Sequence, residues 1–548
     1  MYIGEKDRDP LETIRLSTEY LQKKKIFFCE EWHNNGSSLF SVSLNIPGTA
    51  FSVNGKGVSR ELALASAHGE LQERLLNKAF FRINTDTIYW MYDKNIKSQA
   101  NLDSLFSKLG LSSENSKELQ VKCEDLLGSI QKIEEDVFIS GKGNRLVIPT
   151  QITDYLYGTN GMCAGNTFEE ACTQGLSEIV ERYVAKRLFA EPIEVPNFDF
   201  EKLDRASYFR MLMSRFKKIG IDVYVKDFSL GLKLPVVGVI FSNPQNHTYF
   251  MKMGAHPNLN IALERCFTEF AQGRTNQQLQ KMVNCEEILD NDQNRLLKYF
   301  VDGNTAFPIC LMQDKGNSTL TSLKYSSNKE YYEYLMECIE TLGFEVYFKD
   351  NSSDIFQAYR IIVPGMSEIA DVQKMPYEQS IYAINKKIKH FYEKSNVKAK
   401  NVDELTDFIE SCKGLNKEIG LSYPILSVKM NGKRLPKFKM FEVINLEYLL
   451  VGDLHSSYNF LSKHMELCKY NDIYTCLVLM EKMIIEGKVN IQDKDTLVDS
   501  LTRLFNEHIC NTAYLLLSKP SELFEVECNI EDNYFFKNRK ELFRKLYE

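Results

Sequence analysis

Apolar and polar residues recur with a helical period between residues 168 and 183. The apolar positions are Ala171, Leu176, Ile179 and Val180. The polar positions follow at i, i+4, i+8 and i+11, and they are Glu170, Gln174, Glu178 and Glu181. At about 100° per residue, these four side chains share one stripe of a helix. Thr167 and Glu170 have the spacing of a capping box, so the pattern predicts a helix that begins just after Thr167.

Three carboxylates on one stripe indicate either a bound cation or a solvated surface. Two carboxylates about 4 Å apart repel by about 1 kcal/mol in water and about 4 kcal/mol near a protein surface, and a divalent cation relieves this repulsion. Gly158, Gly161 and Gly165 predict a preceding loop whose N–H groups, at the positive end of the helix dipole, suit an anion. Together these features predict a phosphate with its Mg²⁺, and a Glu-rich helix facing water stays the alternative.

The same pattern occurs twice more, which favours a binding site over a solvated helix. The matching segments are residues 62–75 and 262–272. The equivalent acidic positions are Glu70, Glu178 and Glu269, and the next ones along are Glu73, Glu181 and Gln272. Each copy follows glycine, which is Gly55 and Gly57 before the first copy and Gly254 before the third. The copies lie too far apart for a solenoid, so we expect three similar helices to converge on one site.

These segments resemble the three ATP-binding motifs of the YcaO family. They read Ser-x3-Glu-x2-Glu-Arg from Ser66, Gln-x3-Glu-x2-Glu-Arg from Gln174 and Arg-x3-Glu-x2-Gln from Arg265. Segments 54–57, 160–167, 254–257 and 361–367 also resemble the stand-alone bacterial members of the family, and the similarity runs from about Lys6 to Ser367. The resemblance implies an α+β fold in which mixed sheets and the motif helices bind ATP and Mg²⁺.

The resemblance also implies which side chains meet these ligands. Oxygen ligands suit Mg²⁺, and we expect it to bind Glu70, Glu178, Glu181 and Glu269. We expect the nucleotide to contact Lys6, Thr13, Glu73, Cys163, Asn166, Glu170, Arg182 and Arg265. The two arginines can fork onto phosphate oxygens. For Arg182, and equally for Arg74, the alternative to a nucleotide contact is an ion pair with a neighbouring glutamate. Cys163 either contacts the nucleotide, through its side chain or its backbone, or is a small buried filler. No catalytic residue is assigned.

The remaining pattern predicts two domains. Residues 1–385 alternate strands and helices and form the ATP-binding domain, with a polar, charged stretch near 95–145 that resembles a variable insertion. Residues 386–548 show helical spacing and few strand patterns, which predicts an all-helical domain. This domain is either an ordinary packing domain or a tetratricopeptide-like array, and no clean repeat of about 34 residues supports the array.

Composition and charge narrow the choice of partners. The net charge of −7 does not indicate the basic face that nucleic-acid binders carry. Scattered cysteines without a Cys-x2-Cys pair, together with the lack of an apolar signal segment, predict a cytoplasmic protein with reduced thiols. No run of about 18 apolar residues occurs, so no membrane partner is expected. A homodimer is implied by the family resemblance alone.

Three functions stay open on this basis. The first is an Mg²⁺–ATP-dependent accessory factor in protein modification, since stand-alone family members have been linked to β-methylthiolation of an aspartate in a small-subunit ribosomal protein. The partner would then be that ribosomal protein or its methylthiotransferase.

The second is activation of a peptide-backbone amide: a nucleophile adds to the carbonyl, ATP phosphorylates the oxygen, and phosphate leaves to give a thioamide or an azoline. The sequence ends without the Pro-x-Pro-x-Pro tail of azoline-forming members, which argues against the azoline. The third is a nucleotide-gated binding scaffold that acts through the helical domain.

Overall fold

The computed structural model describes most of the chain, with gaps. The described residues are 6–33, 39–49, 51–82, 102–112, 114–119, 135–272, 282–289, 295–303, 305–313, 316, 318, 320–323, 327–371, 424–430, 433–439, 445–446, 448–463, 465, 472–520, 524–526 and 534–547. They fall into two compact units, the first drawn from residues 1–47, 51–84 and 90–375 and the second from 48–50, 85–89 and 376–548. The predicted boundary at 385/386 lies outside the described residues and stays a prediction.

The first unit combines α-helices with twelve strands among its described residues, and residues 114–119 are helical in addition to the helices named next. The helices are α1 (Pro10–Lys23), α2 (Arg60–Leu76), α3 (Ala79–Arg82), α4 (Leu102–Lys108), α5 (Thr150–Tyr157), α6 (Phe168–Ala190), α7 (Ala206–Lys218), α8 (Leu259–Ala271), α9 (Arg295–Asp302) and α10 (Asn328–Thr341). The strands are β1 (Cys29–His33), β2 (Phe40–Ile46), β3 (Phe51–Gly57), β4 (Glu135–Ser140), β5 (Arg145–Pro149), β6 (Met162–Gly165), β7 (Asp222–Asp227), β8 (Val236–Asn243), β9 (Thr248–Ala255), β10 (Val283–Asn284), β11 (Tyr347–Asp350) and β12 (Gln357–Ile362). Short 3₁₀ helices span Phe200–Lys202, Cys285–Leu289 and Ile309–Met312.

These strands form three antiparallel sheets. Their orders are β1-β2-β3, β10-β9-β8-β7 and β5-β4-β11-β12-β6. Each sheet supplies the strand that leads into one of the three motif helices, namely β3 before α2, β6 before α6 and β9 before α8. Helix α6 has its inner side in the main core, where Leu176, Ile179 and Val180 are fully buried. This arrangement of helices with antiparallel sheets confirms the α+β class.

Each motif helix lies directly on the strand that precedes it. The contacts pair Gly55 with Ala63, Gly165 with Ala171, and Gly254 with Ala262. A Cβ atom added at the first or third glycine would overlap the carbonyl oxygen of its paired alanine, and one added at the second would lie 2.7 Å from the alanine nitrogen. The alanines occupy equivalent positions of the repeat, so close strand–helix packing explains why glycine precedes each copy of the pattern.

Side-chain caps begin two of the motif helices, and the cap at Thr167 is the one that the sequence predicts. The Ser59 hydroxyl accepts a hydrogen bond from the Leu62 N–H at 3.2 Å, and Thr167 accepts one from Glu170 at 3.1 Å. Such caps satisfy N–H groups that have no partner within the helix. The loop predicted between Gly158 and Gly165 is only partly correct. Its second half forms β6, a four-residue strand that pairs with β12 and is too short to show an alternating pattern.

The predicted insertion near 95–145 also contains an integral strand. Residues 95–101 and 120–134 lie outside the described part, but β4 lies between β5 and β11 in the five-stranded sheet. Its inward-facing residues include Asp136, which is fully buried and pairs with Lys349 at 2.6 Å. Because a charged residue occupies an inward position, the strand lacks the apolar alternation that would have predicted it.

The second unit is mainly helical but includes a sheet. Its helices are α11 (Leu454–Lys463), α12 (Asp472–Ile485), α13 (Lys494–Leu501), α14 (Glu507–Ser518) and α15 (Tyr534–Tyr547). Strands β13 (Pro424–Met430), β14 (Lys433–Lys439) and β15 (Phe524–Val526) form an antiparallel sheet in the order β14-β13-β15. The all-helical prediction missed this sheet, because basic residues fill four of the seven positions of β14 and hide any apolar alternation. Among the described residues, every helix is too short or too polar to cross a lipid bilayer.

Candidate functional site

A cavity of about 640 Å³ in the first unit is lined by the three motif helices and by the N-terminal segment. All predicted site residues except Cys163 line it. They are Lys6, Thr13, Glu70, Glu73, Asn166, Glu170, Glu178, Glu181, Arg182, Arg265 and Glu269. The three helices therefore converge, as the repeated pattern predicts, although the role of each side chain stays a prediction.

Each of the three equivalent glutamates is paired with a basic side chain. Glu70 lies 3.3 Å from the Arg74 guanidinium, and Glu178 lies 3.0 Å from that of Arg182. Arg74 also lies 2.9 Å from Glu73, so the ion pair that the sequence left open for Arg74 is present. The side chains of Glu70 and Glu178 are between about a quarter and a third exposed. They face a cavity that is lined by charges of both signs.

The acidic positions one turn further along are more crowded. Burial raises the pKa of Glu73 to about 8; Arg74 opposes this rise, and the charges of Glu178 and Glu70 add to it. Burial also raises the pKa of Glu181 to about 8, helped by the charges of Glu269 and Glu178. Because residues of α2, α6 and α8 influence one another in this way, their carboxylates share one electrostatic environment.

Glu269 behaves differently, because two lysines contact it. Its carboxylate forms an ion pair with Lys56 from β3, and its second oxygen lies 3.7 Å from the Lys252 ammonium of β9. Burial alone would raise the pKa of Glu269, but Lys56 and Lys252 outweigh it and lower the pKa to about 2. Glu269 is therefore ionised at neutral pH, and both lysines lie in the cavity wall.

The N-terminal segment meets the first turn of α6. The Asp7 N–H donates to Glu170 at 3.0 Å, and the Lys6 ammonium lies 3.5 Å from the same carboxylate. Asn166 donates to both Glu170 oxygens at 3.2 and 3.0 Å, and it accepts a bond from the Thr13 hydroxyl at 3.2 Å. Four predicted nucleotide contacts thus form one network around Glu170, whose side chain is only 6% exposed.

The start of α6 has an anionic partner from the chain itself. Thr167 donates to the Asp7 carboxylate, which also accepts a bond of 3.0 Å from the Asn328 side chain. An acidic side chain of the N-terminal segment thus lies beside the helix start, next to the loop at which the sequence predicted a phosphate.

Two arginines lie on the cavity wall in fixed positions. Arg265 of α8 donates to Gln174 of α6 at 2.5 Å and to the carbonyl oxygen of Ala255 at 3.2 Å. Besides its pair with Glu178, Arg182 lies over the ring of Phe300, with its guanidinium carbon 5.2 Å from the ring centroid. Guanidinium groups held in this way are suited to bind phosphate without losing much side-chain freedom.

Cys163 does not reach the cavity with its side chain. It lies in β6, is fully buried in the main core, and directs its sulfur 3.5 Å from the carbonyl oxygen of Tyr359. Burial raises its pKa well above the usual range, helped by the neighbouring Cys172. A side-chain contact with a nucleotide is therefore not supported, and the buried-filler interpretation fits the side chain.

The carboxylate oxygens that line the cavity are donors of the type that a hard divalent cation prefers. Glu70, Glu178, Glu181 and Glu269 supply only oxygen donors, which Mg²⁺ prefers. As they stand, however, no three acidic, histidine or cysteine side chains in the described part are arranged to hold a metal together. Three of these carboxylates are instead contacted by Arg74, Arg182 and Lys56. A metal would have to compete with these basic groups.

Sequence reasoning missed two cations of the site. Lys56 and Lys252 line the cavity on either side of Glu269, yet neither had a predicted role. Lys56 stands between Gly55 and Gly57, in a segment that already carried the family resemblance. Lys252 lies on β9, two residues before Gly254, and its spacing from the motif gave no signal.

Three similar helices bring carboxylates, arginines and lysines together in one cavity, which defines the class of site as one for a charged ligand. The comparisons agree with this class. The family model described as YcaO cyclodehydratase, ATP- and Mg²⁺-binding, matches residues 54–367, and the chain belongs to the YcaO family.

Two curated relatives share part of the chain. It is 34% identical over 356 residues to an uncharacterized protein of Haemophilus influenzae, which covers 61% of this chain and 59% of that protein. It is 32% identical over 363 residues to the ribosomal protein S12 methylthiotransferase accessory factor YcaO of Escherichia coli, covering 62% of this chain and 61% of that protein. The match thus spans about three fifths of the length of either relative.

Solved structures show a distant likeness. YcaO from Methanopyrus kandleri bound with AMPPCP and Mg²⁺ is 18% identical, with a TM-score of 0.44 over 66% of this chain and 92% of that one. A heterocyclase in complex with substrate and cofactor is also 18% identical, with a TM-score of 0.43 over 67% of this chain and 54% of that one.

Proposed function

We propose that this chain binds Mg²⁺–ATP in the cavity and uses it in the modification of a protein. The observation that carries the proposal is the convergence of Glu70, Glu178 and Glu269, which come from three separate helices, on one cavity. Carboxylate oxygens are the donors that Mg²⁺ prefers, and the metal would take the place of the basic side chains that now contact these three glutamates. The family to which the chain belongs is described as binding ATP and Mg²⁺.

The distribution of charged and neutral groups in the cavity also favours one orientation of the bound nucleotide. Thr13 and Asn166 offer neutral hydrogen-bonding groups near Glu170, at the start of α6. Glu181 lies eleven residues further along this helix, which at 1.5 Å per residue is about 16 Å. The negative charge of Glu269 raises the pKa of Glu181, so the two carboxylates lie near each other. We therefore assign the lysines that contact Glu269 to the same end of the cavity as Glu181. We therefore place the nucleoside near Thr13 and the phosphates near Glu178, Glu181 and Glu269.

Mg²⁺ would supply charge neutralisation to the phosphates when bound. Carboxylates of Glu70, Glu178, Glu181 and Glu269 would hold it, while Arg182 and Arg265 would bind phosphate oxygens directly. For Glu70, Glu178 and Glu269, ligation would replace an existing contact with a basic side chain by one with the metal. The arginines would keep the phosphates in place and exclude water from them.

A calorimetric titration of the wild-type chain with Mg²⁺ and a non-hydrolysable ATP analogue tests the proposal. We expect Glu178→Gln to weaken binding at least tenfold, because the variant loses one anionic oxygen donor. Glu169→Gln is the matched control, since Glu169 lies on the same helix but does not line the cavity. Equal affinities for the two variants and the wild type would refute the metal role of Glu178.

For the biological role we favour an accessory factor in ribosomal-protein modification. The support is the 32% identity to the protein of that name in Escherichia coli. The mass of small-subunit ribosomal protein S12 should lose the increment of a methylthio group when the gene is deleted and regain it on complementation. An unchanged mass would refute this role while leaving ATP binding untouched.

The family description as a cyclodehydratase favours a second candidate, ATP-dependent activation of a peptide amide. In that case, phosphate release from ATP should require a peptide and yield a thioamide or azoline, which mass spectrometry detects. Tight ATP binding without turnover would instead support the nucleotide-gated scaffold. The cytoplasmic location and the homodimer stay predictions.

A further inference from the structure

Lys56 lies on strand β3, whose backbone is held in place by close packing. A Cβ atom added at Gly55 would overlap the carbonyl oxygen of Ala63, and one added at Gly57 would lie 2.6 Å from the Ala63 nitrogen. Strand β3 therefore rests on the first turns of α2 on both sides of Lys56. Its backbone is fixed relative to the helix that carries Glu70, and only its long side chain can move.

The Lys56 ammonium has two partners in the cavity wall. It forms an ion pair with Glu269 and donates to the Gln272 side chain at 3.2 Å. Gln272 donates in turn to the carbonyl oxygen of Asn54 at 3.0 Å, which fixes its amide. Lys252 approaches the other oxygen of Glu269 at 3.7 Å. The Glu269 carboxylate thus faces two ammonium groups. The side chains of Glu269, Lys56 and Lys252 together carry a net charge of +1.

A divalent cation at Glu269 would compete with Lys56 for the same carboxylate. The ammonium and a doubly charged metal ion would repel each other at this short separation, and the repulsion is twice that between two unit charges. Gln272 is neutral and cannot replace a carboxylate as a partner. Because a largely buried ammonium without an anionic partner is unfavourable, Lys56 requires another anion once a metal occupies Glu269.

We propose that Lys56 exchanges the Glu269 carboxylate for an oxygen of the terminal phosphate when Mg²⁺–ATP binds. This inference rests on the proposed function and adds a phosphate-binding residue to it. The ligand that brings the metal also brings the anion, so both halves of the exchange occur in one event. Terminal phosphate is the fitting class because the orientation proposed above places the phosphates near Glu269, with which Lys56 is paired. The flexible side chain of lysine allows the movement, while the fixed backbone keeps it short.

The test compares ATP with ADP, since only ATP carries the phosphate that Lys56 would bind. Titration calorimetry in Mg²⁺ should show that Lys56→Met weakens the binding of a non-hydrolysable ATP analogue at least tenfold. ADP affinity should change less than threefold, because its phosphates do not extend to Lys56. Lys56→Arg keeps the charge and should retain most of the preference for ATP. If Lys56 only held Glu269 in place, Lys56→Met would weaken ATP and ADP equally, which would overturn the proposal.

Lys349→Met is the matched control. Lys349 is also a largely buried lysine on a strand, paired with the Asp136 carboxylate at 2.6 Å, but it does not line the cavity. Its loss should lower the melting temperature without changing the ratio of ATP to ADP affinity. A changed ratio in this control would show that loss of a buried pair is sufficient, and it would also overturn the proposal. Failure of the wild-type chain to bind Mg²⁺–ATP would instead refute the proposed function itself.

Discussion

Gly254→Ala tests whether close strand–helix packing positions the site. A Cβ atom at this position would overlap the carbonyl oxygen of Ala262 and lie 3.0 Å from the Cys266 sulfur. Non-bonded heavy atoms pack at about 3.5 Å or more, so α8 would have to move from β9 by roughly 1 Å. The residues that would have to adjust, including Ala262, Cys266 and Phe267, are fully buried in the core.

The magnitude follows from this overlap. Extra methyl groups in a well-packed core cost about 1–3 kcal/mol, and the φ of Gly254 is not in the left-handed region, so backbone strain does not add to the cost. Glu269 lies seven residues after Ala262, two turns along the same helix, and would move with it. Since a misplacement of about 1 Å can reduce activity about a hundredfold in enzymes, we expect at least a tenfold loss of Mg²⁺–ATP affinity.

The assay measures the urea midpoint and the affinity for Mg²⁺ and an ATP analogue on the same preparation. Gly141→Ala serves as the control, because nothing lies within 4 Å of a Cβ atom there and its φ is also ordinary. We expect the control to stay within about 0.5 kcal/mol of the wild type. Gly55→Ala should resemble Gly254→Ala, since its added atom also overlaps a helix carbonyl. A Gly254→Ala protein with wild-type midpoint and affinity would show that the packing does not position α8.

Two further predictions concern Cys163 and Glu481. Cys163→Ser places a hydroxyl in the core and should cost about 1–3 kcal/mol of stability, yet leave Mg²⁺–ATP affinity within threefold, as calorimetry can show. A tenfold loss of affinity in a folded variant would restore the side-chain contact. Burial raises the pKa of Glu481 to about 8, against the Ser457 bond that lowers it. The folded second unit thus binds more protons than the unfolded chain between pH about 4.5 and 8, so this contribution to stability is complete below pH about 4.5 and is lost as the pH rises toward 8. Denaturation at both ends of this range should show a smaller fall for Glu481→Gln than for the wild type, and equal falls would contradict the assignment.

The sequence predicted those features that depend on the spacing of particular residue types along a helix. Thr167 was predicted as a helix cap from its spacing to Glu170, and it accepts the expected N–H bond. The repeat of glutamate at equivalent positions predicted that α2, α6 and α8 converge, and Glu70, Glu178 and Glu269 do line one cavity. These features survive in a single sequence because each follows from local spacing along one helix.

Features that depend on a distant partner could not be predicted in this way. Asp136 is an inward-facing residue of β4, and only Lys349 and Arg360, more than two hundred residues later, explain why a carboxylate is buried there. Asp7 likewise meets the start of α6 across the fold. Lys56 has a neighbour, Glu269, that no spacing rule connects to it. Long-range ion pairs leave no periodic signal in the sequence, so strands and contacts that rely on them were missed.

The ion pairs of the cavity connect its two predicted ligands. Glu70, Glu178 and Glu269 each hold a basic side chain of the chain itself. Mg²⁺ alone would displace these basic groups and leave them without anions, and ATP alone would attract them and leave the carboxylates without cations. Either ligand by itself therefore creates unpaired charge in a partly desolvated cavity, whereas the two together exchange one complete set of pairs for another. It follows that metal and nucleotide should bind as a unit, each raising the affinity for the other by the same factor.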